Sequence, residues 1–181
     1  MSISELKNKL PAYAKDIKLN LSSLASDETL DLQKLWGTFV ACAYACGNAD
    51  VIDAIEAEAS DNISAAAIDA AKAAASIMAM NNVYYKFTGI MSEYQTLPAK
   101  LRMNVIANPG IEEKIDFELW SLAVSAINGC NFCVQSHEKQ LKDAGIANTE
   151  IQTAVKVAAV VAAVSATLTA EPAQIAQAKA A

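Results

Sequence analysis

The chain is poor in the residues that break helices and turn strands. Among its 181 residues are 6 glycines and 4 prolines, and aromatic residues make up only 6%. So little turn-forming material excludes an all-β fold, which needs a tight turn after every short strand. Basic tracts are missing as well: 14 Lys and Arg stand against 20 Asp and Glu, a formal net charge of −6. That balance leaves no electrostatic footprint for nucleic acid or for an anionic membrane surface, so neither is expected as a partner. The opening Met1-Ser2-Ile3-Ser4-Glu5-Leu6-Lys7 has no apolar signal-peptide core. The longest apolar stretch, Ala154 to Ala170, is interrupted by Lys156 and diluted by Ala, Ser and Thr, so a buried helix is expected there and not a membrane span. Four cysteines without a secretion signal point to a reducing, cytoplasmic setting. There a Cys-x-x-Cys pair is more often catalytic or metal-binding than a structural staple.

What the chain has in quantity is alanine, within a hydrophobic fraction of 54%. Alanine is the best helix former and adds little volume, so the prediction is an all-α fold of closely packed helices in one domain spanning 1–181. Ser2 and Glu5 have capping-box spacing. Pro11 opens a stretch ending near Ser26. Leu32, Leu35, Trp36, Phe39 and Val40 recur at helical spacing from Leu30 to about Cys46, where Gly47-Asn48 stops the run. Further helices are expected over Val51 to Ala59 and Ser64 to Met80, whereas Asn81 to Leu97 gives no clear pattern and Pro98 interrupts it. Met78, Met80 and Met91 read as core filling. After the turn at Asn108-Pro109-Gly110, Glu112 to Ile127 reads as a helix with a stripe of Trp120, Ala123, Val124 and Ile127. Asn128-Gly129 breaks it, and a helix from about Cys130 to Ala144 is closed by Gly145. A last long helix follows Asn148, with a short Ala-rich tail from Pro172. Leu35-Trp36 and Leu119-Trp120, Val40 and Val124, and Cys46 and Cys130 share one offset, so two related helical halves are expected, about 1–97 and 98–181. Ala49 and Asp53 stand where the second half has Cys133 and His137.

Cys130, Cys133 and His137 are the residues with chemistry in them. Positions i, i+3 and i+7 fall on one helical stripe, so both sulfurs and the imidazole can face one way, with Val134, Leu141 and Ala144 continuing that face as packing. A free thiol has a pKa of about 8.5, and a helix N-terminus or a neighbouring imidazole favours its thiolate. A second thiol one turn away can close a disulfide on a sulfenic acid before over-oxidation. Taken alone, the weaker alternative is that the pair are two small buried core residues and that His137, the chain's single histidine, is a structural one. Cys42 and Cys46 lie at i, i+4 spacing and read as buried core residues; a Cys₄ zinc site with the 130/133 pair is the weaker alternative.

The run Phe117-Glu118-Leu119-Trp120-Ser121-Leu122-Ala123-Val124-Ser125-Ala126-Ile127-Asn128-Gly129-Cys130-Asn131-Phe132-Cys133, continuing to Ser136-His137-Glu138, resembles the active-site segment of the alkyl hydroperoxidase D family. Leu35-Trp36-Gly37-Thr38 and Met80-Asn81-Asn82-Val83-Tyr84-Tyr85 resemble it too, so the likeness covers most of the chain. The resemblance implies a helical fold shared with carboxymuconolactone decarboxylase-like proteins. It implies Cys133 as peroxidatic thiol, Cys130 as resolving thiol, and His137 relaying the Cys133 proton through a water to Glu118. It implies organic hydroperoxides as substrates and no bound cofactor. Electrons would come from dihydrolipoamide on a lipoylated acyltransferase component, with a peroxiredoxin as a further partner and a homotrimer as the assembly. Spacing alone would not single out Glu118, which lies opposite the Trp120 stripe on a helix apolar nearly all round. One departure stands out: Phe132 occupies a position where the family often has a histidine, which predicts a simpler or slower proton relay. Rival readings are a decarboxylase-like enzyme of the wider superfamily and a non-enzymatic redox sensor.

Overall fold

The computed structural model describes residues 1–180, with side chains as far as Glu171. Most helices begin where the sequence supplies a cap. Ser2 Oγ accepts from the Glu5 backbone N–H at 3.1 Å and Glu5 Oε2 accepts from the Ser2 N–H at 2.8 Å, completing the capping box of α1 (Ile3–Lys9). A short 3₁₀ turn after Pro11 leads into α2 (Lys15–Ala25). Asp31, Asn48 and Ser64 cap α3 (Leu32–Cys46), α4 (Ala49–Asn62) and α5 (Ala65–Ile90), each side-chain oxygen accepting a first-turn N–H. The short α6 (Asn104–Ala107) precedes α7 (Lys114–Ile127), α8 (Asn131–Asp143) and α9 (Asn148–Ala180). The described residues contain no strand, as expected. The tail expected from Pro172 onward lies outside the fully described residues.

Two helices are longer than the sequence reading. α4 begins at Ala49, because Asn48 caps it ahead of Val51, and runs past Ala59 to Asn62. α5 runs on from Met80 to Ile90 through Asn81-Asn82. Asparagine is a weak helix former because its side chain competes for backbone hydrogen bonds. Here both asparagines are buried, and Asn82 spends its amide on tertiary partners, so that competition is removed. Met91 then falls just past the helix end and is exposed, which corrects its placement in the core; Met78 is buried and Met80 partly so.

At the centre α3 and α7 pack against each other, and both pack against α5 and α9. Residues Leu35 to Ala43 are buried without interruption, as are Leu119 to Ser125, so both central helices are covered all round. Their contact is close because of Gly37. The Trp120 ring lies over it, and a Cβ at residue 37 would sit 2.2 Å from Trp120 Cζ2. Trp120 Nε1 donates to the Lys34 carbonyl at 3.3 Å, fixing the ring. At the start of α7, buried Asp116 accepts from Gln33 Nε2 at 2.7 Å and lies 3.5 Å from Lys34 Nζ. Burial pushes its carboxyl above the usual range, outweighing Gln33 and Lys34. The stretch Asn148–Glu171 is long and apolar enough to cross a membrane by composition alone. Its Ala154, Val157, Ala158, Val161 and Val164 are instead buried in the core that α3 and α7 form.

Candidate active site

The site is assembled where α7 turns into α8. The Asn128 N–H bonds to the Val124 carbonyl at 3.0 Å, and the Cys130 N–H reaches back to the Ser125 carbonyl at 3.1 Å. Gly129 between them has φ +65, a left-handed conformation that glycine adopts without strain. The reversal makes Cys130 the N-cap of α8, its sulfur accepting from the Cys133 N–H at 3.3 Å. A network running from the interior to the surface fixes this turn to α5. Asn82 Nδ2 donates to Ser125 Oγ at 2.9 Å, Asn128 Nδ2 donates to Asn82 Oδ1 at 2.9 Å, and Lys86 Nζ donates to the Asn128 carbonyl at 2.7 Å.

Cys130 and Cys133 are joined by a disulfide, with their Cα atoms 5.3 Å apart. Cys130 is wholly buried, whereas Cys133 borders a cavity of about 370 Å³ that also meets His137 and Glu118. The Cys133 N–H in the first turn of α8, aimed at the Cys130 sulfur, would favour a thiolate there once the pair is reduced. His137 lies one turn beyond Cys133, and its Nδ1 is 2.6 Å from Glu118 Oε2. If Nδ1 carries the proton toward the carboxylate, Nε2 is left with its lone pair to take a proton from the sulfur side. Gln140 Nε2 donates to the same Glu118 oxygen at 3.1 Å. Glu118 reaches His137 from α7 because it is the one residue between Asp116 and Ser125 that escapes full burial.

The structure thus brings together Glu118, Cys130, Cys133 and His137, all four of the residues singled out from the sequence. Leu141 continues their stripe into the core as expected, but Ala144 is exposed because α8 ends at Asp143, and its chain turns away at Gly145. Phe132 is 53% exposed and stacks on Tyr85 at a centroid distance of 5.8 Å, so an aromatic wall stands where a histidine was looked for. Met78, Met103 and Ile106 add apolar lining to the same cavity. Met78 was expected as core filling and is buried at the edge of the cavity, whereas Met103 and Ile106, between Pro98 and Asn108, and Asn81, on the unrecognised end of α5, were not legible. Gln140 was legible, three residues beyond His137 on the same stripe. Cys42 is fully buried and Cys46 partly so, and burial raises both thiols. No three His, Cys, Asp or Glu side chains gather as a metal site among the described residues.

Residues 92–175 match the carboxymuconolactone decarboxylase family. Alkyl hydroperoxide reductase AhpD of Azorhizobium caulinodans is 58% identical over 170 residues, 93% of each chain. The same-named protein of Rhodopseudomonas palustris is 58% identical over 180 residues, covering 98% of this chain and 99% of its own. That of Gluconacetobacter diazotrophicus is 60% identical over 169 residues, 93% of both. Identity this high extends over almost the full length of both partners, and the chain belongs to the alkyl hydroperoxide reductase AhpD family.

Proposed function

We propose that the protein is a thiol-dependent alkyl hydroperoxide reductase. The observation that carries this reading is that Cys133 opens onto a cavity with apolar walls beside the His137–Glu118 pair. An organic hydroperoxide needs an apolar wall for its carbon skeleton and a nucleophile at its peroxide end. His137 takes the Cys133 proton, and Glu118, the distal base of the relay, stabilises the resulting imidazolium. The Cys133 thiolate attacks the terminal peroxide oxygen; an S–O bond forms, the O–O bond breaks, and the departing alkoxide takes up the proton. The Cys130 thiol then displaces hydroxide from the sulfenic acid as water, giving the Cys130–Cys133 disulfide. Two electrons from an external dithiol restore both thiols. Dihydrolipoamide on a lipoylated acyltransferase component is the proposed donor, with no cofactor bound to the chain itself.

The same reading extends to a peroxiredoxin that the reduced protein serves, to a homotrimer, and to the cytoplasm. Exposed Val83, Phe87 and Ile90, at i, i+4 and i+7 on α5, with Tyr94 packed on Phe87, support an assembly, since apolar side chains clustered on one surface mark a face that another chain covers. The domain is proposed as two related halves, of which only the second carries the redox residues.

A single turnover tests the chemistry. The protein is reduced, freed of reductant, and mixed with one equivalent of cumene hydroperoxide, and the cysteines are mapped by mass spectrometry over time. The expected result is rapid conversion to the Cys130–Cys133 disulfide, slowed about 10²–10⁴-fold in Glu118→Gln or His137→Ala. Thiols that stay unmodified for minutes would refute the peroxidase and favour the decarboxylase-like reading that the wider family match leaves open.

A further inference from the structure

Asn81 and Asn82 are neighbours on α5, both more than nine-tenths buried, yet they are used differently. Asn82 has its amide donor and its carbonyl engaged by Ser125 and Asn128. Asn81 makes no side-chain hydrogen bond with any described residue, and its Oδ1 is fully buried without a partner. Burial of an unpaired carboxamide is unfavourable, and asparagine brings no helix propensity to offset it. Neither local structure nor core packing accounts for Asn81. It lines the cavity that Cys133, His137 and Glu118 share.

Resting on the reading of the site as a hydroperoxide reductase, we propose that Asn81 binds and orients the peroxide group of the substrate. A hydroperoxide has one O–H donor and two oxygens that accept, and a carboxamide offers the complementary acceptor and donor on one rigid group. In the bound state Oδ1 accepts from the terminal O–H, and Nδ2 donates to the oxygen that leaves. The second bond strengthens as the O–O bond breaks and charge collects on the alkoxide, so Asn81 acts on the transition state more than on the ground state. The atom balance is unchanged: the thiolate gains the terminal oxygen as S–OH, and the alkoxide is protonated to the alcohol. The apolar wall of Met78, Met103 and Ile106 then holds the carbon chain, leaving the peroxide end turned toward sulfur.

The test compares the parent with Asn81→Leu, which keeps the volume, and Asn81→Ala. Two quantities are read: the rate constant for Cys133 oxidation by cumene hydroperoxide, and the pH midpoint for Cys133 alkylation by iodoacetamide. The expected result is an oxidation rate about ten- to a hundred-fold lower in both variants, with the alkylation midpoint unmoved. Oxidation at the parent rate in either variant overturns the assignment. So does a slower oxidation that travels with a shifted midpoint, because Asn81 would then act on the thiol and not on the peroxide. A parent that cumene hydroperoxide does not oxidise overturns the reductase reading itself, and this inference with it.

Discussion

Replacing Gly37 by alanine should destabilise the protein, although the same change in an exposed helix interior would stabilise it. Helix propensity favours alanine over glycine by about 1 kcal/mol. Against this, the new Cβ would lie 2.2 Å from Trp120 Cζ2, 2.3 Å from Cε2 and 2.6 Å from Nε1, where ordinary contact begins at 3.4 Å. The indole must retreat by about 1 Å or α3 and α7 must separate, because carbon atoms reach their favourable distance only near ~3.5 Å. Trp120 has no exposed surface to retreat into, and its Nε1 is bonded to the Lys34 carbonyl. Overpacking a dense core costs about 1–3 kcal/mol. Losing the indole hydrogen bond inside the protein adds about 1–3 kcal/mol. The net expectation is a loss of roughly 1–5 kcal/mol, or about 3–15 °C in Tm for a domain of this size. Scanning calorimetry of Gly37→Ala, Trp120→Phe and the double variant measures it. Phenylalanine lacks the indole edge that the methyl would strike, so the double variant should recover about 1–3 kcal/mol relative to the sum of the singles. An unchanged or raised Tm for Gly37→Ala, or strict additivity, would refute the close approach as the reason for this glycine.

Three further outcomes follow from particular groups. The Asp116 carboxyl is raised by burial, so its favourable contribution is complete below the unfolded pKa of about 3.9 and is lost as pH rises through the higher folded value. Asp116→Asn, which stays neutral, should therefore gain in Tm on the parent between about pH 4 and pH 7; a gap that moves the other way would refute the sign. Asn82→Leu leaves Ser125 Oγ and Asn128 Nδ2 without their partner, so unfolding in urea should show a loss of about 2–4 kcal/mol, and a loss below about 1 kcal/mol would mean that water replaces the network. Phe132→His adds a proton carrier at the cavity mouth and should speed Cys133 oxidation between about pH 6 and pH 8; a rate unchanged across pH would remove the idea that Phe132 limits the relay.

The sequence by itself determined the helical class and the kind of element on which the candidate residues sit. Alanine content and scarce glycine and proline dictated helices, the Ser2–Glu5 capping box placed the start of the first, and Asn128-Gly129 placed the break before α8. The i, i+3, i+7 spacing put Cys130, Cys133 and His137 on one stripe, since helical periodicity is a local property of the chain. Tertiary structure alone decided what meets that stripe. Glu118 lies on the preceding helix, opposite the apolar stripe, and only the packing of α7 on α8 brings its carboxylate within 2.6 Å of His137 Nδ1. The continuation of α5 through Asn81-Asn82 was likewise beyond local reading, because partners distant in sequence, Ser125 and Asn128, satisfy Asn82 and lift its preference for turns. The cavity wall of Met78, Met103, Ile106 and Phe132 is drawn from three separate places along the chain. No spacing rule joins such residues, because their association is set by the burial of shared apolar surface and not by the geometry of any one helix.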